Sequence, residues 1–274
     1  MIPSTGQHTP AIELRNVFKY YDDTPVLKNI SFTVRRGESK IILGGSGSGK
    51  STILKLILGL ERLDEGEIWV DGEEISRYPE SRLVGIRQKI GMVFQEGALF
   101  DSLTVADNVA YRLQEQNELD EEEIYEIVRT TLGFVELADA LEKMPSELSG
   151  GMRRRAAIAR ALVGNPKIML YDEPTAGLDP LVARTINELV IKLRDLEGVS
   201  SIFVTHRLRD AFTLANEFLG FKDGRLQYLK EEEQHIALLN TRFLMLREGE
   251  IIFDGVDEAI RNSRDDYIHR FLFS

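Results

Sequence analysis

The chain has 274 residues, of which 45 are acidic and 34 basic, so its formal net charge is −11. At about 150 residues per domain, this length allows one large domain or two closely joined ones. The ordinary proportions of apolar and charged residues exclude wholesale disorder. The negative charge opposes nonspecific binding to nucleic acid or to an anionic lipid surface.

The sequence shows no clear pattern for a metal site, a membrane-spanning segment or a secretory signal peptide. There is no cysteine, which excludes disulfides and thiolate metal sites, and the four histidines, His8, His206, His235 and His269, are too scattered to suggest a shared metal. No apolar run approaches the roughly 18 to 20 residues that span a bilayer. The N-terminal MIPSTGQHTP has neither a basic nor an apolar signal region, so we expect a cytoplasmic protein.

The predicted elements point to an α/β fold. Residues 1–10 are typical of a mobile lead-in, and structure is expected from Ile12 onward. Helical patterns alternate with short β-rich runs, which indicates a mostly parallel sheet. These runs lie at 30–34, 40–45, 67–72, 89–95, 167–173 and 201–206.

Between Gln95 and Pro166 helical signals dominate, and we predict a helical subdomain inserted into the sheet. Thr104 is expected to open one helix and Asp120 another. The acidic run at 120–123 is either a solvated helix start, whose charges complement the helix dipole, or a patch that binds a partner. We favour the helix start.

Two segments after His206 echo each other at an offset of 25 residues: FLGFKDGRLQYLK at 218–230 and FLMLREGEIIFDG at 243–255. Each is typical of two strands around a turn, at Asp223-Gly224 and at Glu248-Gly249. A local duplication and two unrelated hairpins with the same turn preference both remain open.

A glycine-rich loop between a predicted strand and a predicted helix indicates a phosphate site. Its small residues let backbone N–H groups surround phosphate oxygens, and the helix N-terminus adds its positive end. Lys50 supplies a charge between the outer phosphates, and Ser51 offers a hydroxyl to magnesium. The predicted nucleotide-binding residues of this segment are Gly44, Gly45, Ser46, Gly47, Ser48, Gly49, Lys50, Ser51 and Thr52.

Asp172 and Glu173 end the apolar run KIMLYDE, so two carboxylates emerge where open α/β sheets bind their ligands. Asp172 suits the shell of a metal, and Glu173 suits a general base for water. Phosphoryl transfer needs charge neutralisation and an oriented nucleophile. Lys50, Mg²⁺ and Glu173 therefore predict hydrolysis of ATP or GTP.

The segment LSGGMRRRAAIARAL from Leu148 resembles the signature motif of ATP-binding cassette (ABC) proteins. With the phosphate loop, Gln95, YDEP, Leu178-Asp179 and His206 it gives the motif order of an ABC ATPase over roughly 12–226. The resemblance implies a P-loop NTPase fold with a RecA-like core, an antiparallel β subdomain and an inserted helical subdomain. We expect an ATPase domain at 11–255, its helical subdomain at about 96–165, and a C-terminal tail at 256–274.

The same resemblance implies ATP and Mg²⁺ as ligands and a head-to-tail homodimer. The signature residues Ser149, Gly150 and Gly151 would close over the partner's nucleotide, and Asp179 would cross the interface. His206 would contact the γ-phosphate. Gln95 would join Ser51 and Asp172 at the magnesium and couple it to the helical subdomain. Tyr21 would stack on adenine, with neighbouring Tyr20 as the alternative.

Two longer phrases, VFQEGALFDSLTVADNVAYRL after Met92 and MPSELSGGMRRRAAIARAL after Lys143, resemble ATPases of the Mla type. That resemblance implies phospholipid transport across a cell envelope, integral membrane permease subunits, an MCE-domain protein and in some systems a STAS-domain protein. The chain would then sit on the cytoplasmic face of the inner membrane, associated through the permease. The residues 94–109 are a candidate permease contact.

Two alternative functions compete with phospholipid transport, and only the first remains open. The first is the motor of another importer, such as one for amino acids, because the catalytic motifs are shared. The second, an ABC protein that acts on DNA or ribosomes, would require coiled-coil arms, paired cassettes or basic patches, which are missing; we therefore expect no nucleic-acid partner.

The extra segment at about 222–247 departs from the family pattern. The tail has exposed-looking Phe271, Leu272 and Phe273, and it is either a contact to the partner subunit or a simple edge helix; both remain open.

Overall fold

The structure is a computed structural model that describes residues 9–222, 225–230 and 240–273. Most of the lead-in expected at 1–10 and the turn expected at Asp223-Gly224 therefore lie outside the described residues. Strand β1 begins at Ile12, where the sequence predicts the onset of structure.

One sheet of four strands is antiparallel, in the order β2-β1-β4-β5. Two-residue turns with positive φ join its neighbours, at Asp22-Asp23 and at Asp71-Gly72, and such short links reverse the chain direction. The runs at 30–34 and 67–72 are strands, but their assignment to the parallel sheet is wrong, because these turns place them here. The strands are β1 Ile12–Tyr21, β2 Thr24–Val34, β4 Glu65–Val70 and β5 Glu73–Glu74.

The second sheet has six strands in the order β12-β11-β3-β8-β7-β6. All its neighbours pair in parallel except β11 and β12, which form a hairpin. The remaining four predicted runs are all found in it. The strands are β3 Ser39–Gly44, β6 Ile90–Val93, β7 Ile168–Asp172, β8 Ser200–Val204, β11 Thr241–Arg247 and β12 Glu250–Gly255.

Side chains of the parallel strands alternate between two hydrophobic cores. In β7, Leu170 faces the core shared with the antiparallel sheet, and Met169 and Tyr171 face the core beneath the helices. Every residue of β3 and β8 is buried. The six-stranded sheet is thus covered on both faces, as parallel sheets require.

Three helices between β6 and β7 form the predicted helical insertion. Thr104 caps the first, and Asp120 forms a capping box with Glu123 at the second, so the acidic run lies in a first helical turn. The α-helices of the described residues are α1 Lys50–Ile57, α2 Glu80–Arg87, α3 Val105–Gln116, α4 Glu121–Phe134, α5 Gly150–Leu162, α6 Pro180–Glu197, α7 Leu208–Asn216, α8 Asp257–Arg261 and α9 Asp266–Phe273. None of the helices in the described ranges is long and apolar enough to cross a membrane.

Both of the echoing segments are hairpins. Strands β9 Glu217–Lys222 and β10 Arg225–Lys230 form a sheet of their own, whereas β11 and β12 extend the six-stranded sheet. At the second turn, Glu248 and Gly249 have φ of 52° and 80°. The two copies therefore share a hairpin form but not a sheet.

The C-terminal tail packs on its own chain. Ile268 of α9 is 1% exposed in the core beneath the sheet, and Phe271 and Leu272 pack partly buried against the same core. The expectation that both are exposed is wrong, because helical periodicity turns them toward that core. Phe273 is 66% exposed, as expected.

Candidate active site

A cleft of about 670 Å³ opens where β3, β7 and β8 end at their carboxyl edge. These strands are adjacent and parallel, so the loops that follow them meet at one place. The cleft residues come from five parts of the chain that are far apart in sequence. They are Gly45, Ser46, Gly47, Lys50, Ser51, Gln95, Glu173, His206, Leu208 and Phe271.

The glycine-rich loop follows β3 and leads into α1. Gly49 is the N-cap of α1 with φ 101°, a left-handed conformation that favours glycine. At Gly44 a side chain is excluded, because a Cβ atom would lie 2.5 Å from the carbonyl oxygen of Leu246. The close approach of β11 and the turn into α1 thus account for the two glycines that frame the motif.

Lys50 is buried to 8% exposure at the start of α1. Its Nζ donates hydrogen bonds of 2.9 Å to the carbonyl oxygens of Gly44 and Gly45. Burial lowers the pKa of Lys50, while the nearby carboxylates of Glu173 and Asp172 act to raise it. The loop carbonyls therefore hold the ammonium group beside the concave face of the loop.

Ser51 and Asp172 form the second pair in the cleft. The hydroxyl of Ser51 donates to Oδ1 of Asp172 at 3.0 Å. Burial raises the pKa of Asp172, the Ser51 hydrogen bond lowers it, and the charge of Glu173 raises it further. A hydroxyl and a carboxylate oxygen are ligands that suit Mg²⁺, and an Mg²⁺ site of this type takes its other ligands from water and phosphate rather than from a cage of protein carboxylates.

Glu173 and His206 are joined across the ends of β7 and β8. Oε1 of Glu173 lies 2.8 Å from Nδ1 of His206, and within the described ranges the buried Oε2 has no hydrogen-bond partner. The carboxylate is 8% exposed as a residue, whereas the His206 side chain is 58% exposed. Glu173 also has φ 48°, a conformation that costs a non-glycine residue about 1–3 kcal/mol and is concentrated at functional sites.

Gln95 is exposed at the cleft, and two arginines of α5 hold the loop around it. Arg160 donates to the carbonyls of Ala98 and Gly97, at 2.7 and 3.1 Å. Arg154 donates to the carbonyl of Phe94 at 3.4 Å and to that of Ala176 at 3.3 Å. The helical insertion is thus tied by hydrogen bonds to the loop of Gln95 and to the turn after Glu173.

The signature residues lie at the N-terminus of α5. Ser149 is the N-cap, and its Oγ accepts from the N–H of Met152 at 3.3 Å. Gly151 admits no side chain, because a Cβ there would overlap Val182 of α6. Ser149, Gly150 and Asp179 are exposed, and none of them lines this chain's own cleft.

Tyr20 and Tyr21 are both exposed at the end of β1, at 36% and 41%. The Tyr21 hydroxyl donates to Glu61, and the Lys19 ammonium lies 5.2 Å from the Tyr21 ring centroid. Neither ring lines the cleft around Lys50. Adenine stacking by Tyr21, or by Tyr20 in its place, stays a prediction.

Comparison with known proteins decides the family. Residues 27–176 match the family described as ABC transporter. This chain belongs to the ABC transporter family. As a member of that family it is an ATP-hydrolysing motor subunit, and ABC ATPases generally bind ATP with Mg²⁺.

Three relatives of this ABC ATPase carry names that point to different roles. The chloroplastic Protein TRIGALACTOSYLDIACYLGLYCEROL 3 of Arabidopsis thaliana is 36% identical over 95% of this chain and 72% of its own length. The intermembrane phospholipid transport system ATP-binding protein MlaF of Haemophilus influenzae is 36% identical over 87% of this chain and 90% of its own. The spermidine/putrescine import ATP-binding protein PotA of Pasteurella multocida is 40% identical over 82% of this chain and 59% of its own.

A solved ATP-binding cassette, a dimer in a post-hydrolysis state with ADP and Pi bound, has the same fold. It matches this chain with a TM-score of 0.74 and 31% identity, over 89% of this chain and 98% of that one. The fold class predicted from the motif order is thereby confirmed.

Two cleft residues of this ABC ATPase were missed by sequence reasoning. Leu208 opens α7 directly after the His206 segment, and the apolar periodicity of α7 was its only signal. Phe271 comes from α9, and no pattern in the sequence places the tail beside the phosphate loop. Its position follows from the burial of Ile268, which fixes α9 on the core.

Proposed function

We propose that the cleft binds ATP with Mg²⁺ and that Glu173 is the general base for its hydrolysis. Lys50 and the N–H groups of the glycine-rich loop would bind the phosphates, and Ser51 and Asp172 would hold the Mg²⁺ together with Gln95. Mg²⁺ bound there would neutralise charge on the phosphate oxygens. The observation that carries the proposal is the pairing of Glu173 and His206 beside Lys50 in one cleft.

In this proposal Glu173 takes the proton of the attacking water with its free carboxylate oxygen, while His206 keeps the other oxygen in place. His206 would also contact the γ-phosphate, for which its exposure leaves it accessible. The remaining donors to that phosphate would come from Ser149, Gly150 and Gly151 of a second copy. The exposure of Ser149 and Gly150 at a helix N-terminus, away from their own cleft, supports a head-to-tail homodimer in which Asp179 crosses the interface.

We further propose that the cargo is phospholipid. The support is the match to MlaF, which covers 90% of that protein, whereas the match to PotA covers 59% of that one. The relative from Arabidopsis matches along 95% of this chain, including the region of the hairpins. Because PotA is nevertheless 40% identical, a polyamine or other solute importer is the second candidate.

The partners follow from this proposal. Integral membrane permease subunits would carry the lipid, an MCE-domain protein would complete the path, and a STAS-domain protein is a further candidate on the ATPase. Residues 94–109 are the proposed permease contact: Phe94 and Phe100 are 37% and 44% exposed there, and the same loop contains Gln95. The chain would lie on the cytoplasmic face of an inner membrane.

The test is to tag this chain, purify it with its native membrane complex, and identify the proteins and bound small molecules by mass spectrometry. A permease, an MCE-domain protein and bound glycerophospholipid are expected. A solute-binding protein without lipid would overturn the phospholipid proposal and leave the ABC motor intact. An untagged strain carried through the same purification is the control for lipid that co-purifies nonspecifically.

A further inference from the structure

Behind the cleft lies a buried carboxylate that has no role in the proposal above. Asp210 is 2% exposed in the first turn of α7. Its Oδ2 accepts from the hydroxyl of Thr175 at 2.6 Å, and its Oδ1 accepts from Nδ2 of Asn187 at 2.8 Å. Nε of Arg207 is 3.4 Å from Oδ2. A buried carboxylate is tolerated when it is paired and hydrogen-bonded in this way.

The three partners of Asp210 belong to the three segments that carry site residues. Thr175 lies two residues after Glu173. Arg207 directly follows His206. Asn187 lies on α6, whose N-cap is Asp179, so the Asp210 contact restrains the helix on which Asp179 is mounted.

Arg207 extends the same arrangement to the backbone. It donates to the carbonyl of Thr175 at 2.6 Å and to that of Leu178 at 3.4 Å. The turn between Glu173 and Asp179 is therefore fixed at both its start and its end. Glu173, with its positive φ, needs such support, because strained conformations persist only where the surroundings determine them.

We infer that Asp210 is a positioning residue for ATP hydrolysis. It holds the turn after Glu173, the His206 segment and helix α6 in one arrangement, and thereby sets the contact of Glu173 with His206 and the place of Asp179. The inference rests on the roles proposed above for those three residues. The hydrogen bonds and the ion pair of Asp210 go to Thr175, Asn187 and Arg207 and, within the described residues, not to the phosphate loop or Lys50, so nucleotide binding should depend little on it.

The test is Asp210→Asn in the full chain, with its permease complex where that is needed for turnover. We expect kcat for ATP to fall by about tenfold or more, while KM and the affinity for a fluorescent ATP analogue change less than about threefold. The asparagine oxygen can still accept a hydrogen bond from Thr175 or from Asn187. Its amino group cannot accept from the other one, and the negative charge beside Arg207 is lost. A merely structural role would lower the folded fraction, and with it the apparent kcat, but would leave kcat per folded molecule unchanged, so kcat is normalised to the folded fraction measured by circular dichroism.

Asp195→Asn is the matched control. Asp195 lies near the end of α6 that is remote from Asp179, pairs with Arg194 at 2.6 Å and accepts from the N–H of Leu219 at 2.8 Å, and it has no hydrogen bond or ion pair to the turn after Glu173 or to Arg207. We expect reduced thermal stability with kcat per folded molecule retained. An Asp210→Asn variant that keeps wild-type kcat, or loses no more of it than Asp195→Asn, would overturn the inference.

Thr175→Val is the second variant, which keeps the test decisive if Asp210→Asn does not fold. It removes only the hydroxyl that donates a hydrogen bond to Asp210, so we expect kcat to fall at unchanged KM. When Thr175→Val is combined with Asp210→Asn, the two losses in kcat should not add. Unchanged kcat in Thr175→Val, or fully additive losses, would count against the inference. Glu173→Gln separates failure of the proposed function from failure of this inference. Normal turnover in Glu173→Gln would contradict the proposed function. Slow turnover in Glu173→Gln together with normal turnover in Asp210→Asn would contradict only this inference.

Discussion

Oε1 of Glu173 and Nδ1 of His206 lie 2.8 Å apart across the ends of two adjacent parallel strands. The contact engages one carboxylate oxygen and leaves the other, in the described part of the chain, without a hydrogen-bond partner. A base that is oriented through one oxygen and free at the other is suited to accept a proton from water. The relationship ties the proposed chemistry to a specific pair of atoms.

Glu173→Gln should bind ATP but hydrolyse it at least about tenfold more slowly, a loss of about 1.4 kcal/mol or more in transition-state stabilisation. The amide keeps the shape and a hydrogen bond to His206, but it cannot take a proton. Steady-state phosphate release and equilibrium ATP binding measure the two effects separately. The control is Glu126→Gln on α4, where the Glu126 side chain is 55% exposed. Near-normal turnover in Glu173→Gln would reject Glu173 as the general base.

Lys50→Ala should weaken nucleotide binding itself, because it removes the buried ammonium that the loop carbonyls hold beside the proposed phosphate site. The loss of one charge-assisted hydrogen bond to a phosphate oxygen, at about 1.5–3 kcal/mol, corresponds to a loss of affinity of about tenfold or more. Isothermal titration with ATP in the presence of Mg²⁺ measures it. Lys55→Ala is matched to it, since Lys55 lies on the same helix with a 51% exposed side chain; equal affinities in the two variants would contradict the phosphate-loop assignment.

Asp172→Asn should separate stability from function. Burial raises the pKa of Asp172, so the folded protein holds this proton more tightly than the unfolded chain. The stabilising contribution of this carboxyl is therefore full below the ordinary aspartate pKa and is lost as pH rises through the raised value. At neutral pH we expect Asp172→Asn to melt no lower than the wild type without ligand, and to lose the additional stabilisation that ATP with Mg²⁺ gives the wild type.

Thermal melts at several pH values, with and without ATP and Mg²⁺, check both parts. The melting temperature of the wild type should approach that of Asp172→Asn as the pH falls. A variant that melts well below the wild type at neutral pH, or one that is still stabilised by Mg²⁺ with ATP as much as the wild type, would contradict the assignment of Asp172 to the metal.

Gly151→Ala should disturb the start of α5, because the new methyl group would overlap Val182 of α6. Overpacking of this kind costs about 1–3 kcal/mol, measurable as a shift of the urea midpoint, and ATPase activity should fall with it. Val182→Ala in the same chain makes room for the methyl group and should recover part of both losses. Gly133→Ala in α4 is the control: its added methyl group would meet no atom within 4 Å, so the variant should be as stable as the wild type or more stable. If Gly151→Ala also keeps the wild-type stability and ATPase activity, the close packing of Gly151 on Val182 is not needed.

The sequence predicts the strands, the helix starts and the phosphate loop because each depends on local pattern. Thr104 and Asp120 cap the helices at the predicted positions, and the four parallel runs are where period and composition place them. It was harder to predict which sheet each strand joins. The runs at 30–34 and 67–72 have the same composition as the parallel strands, and only the two-residue turns beside them show that the chain reverses direction there. The network of Asp210 with Thr175 and Asn187 has no local signal at all, because its members are 35 and 23 residues apart and meet only in the folded chain.

Removing residues 264–274 should destabilise the chain by itself, whatever the tail contributes to a dimer. The deletion strips Ile268, which is 1% exposed, from the core beneath the six-stranded sheet, and a core aliphatic side chain is worth about 2–5 kcal/mol on truncation. Phe273→Ser tests the proposed subunit contact more cleanly, since Phe273 is 66% exposed and lies outside that core. If α9 packs on the partner subunit, this variant should keep the wild-type melting temperature as a monomer and shift the ATP-dependent dimer toward monomer in analytical ultracentrifugation, with hydrolysis slowed at low protein concentration. A dimer of unchanged affinity would remove the tail from the interface, leaving α9 as a helix that only covers its own core and borders its own cleft.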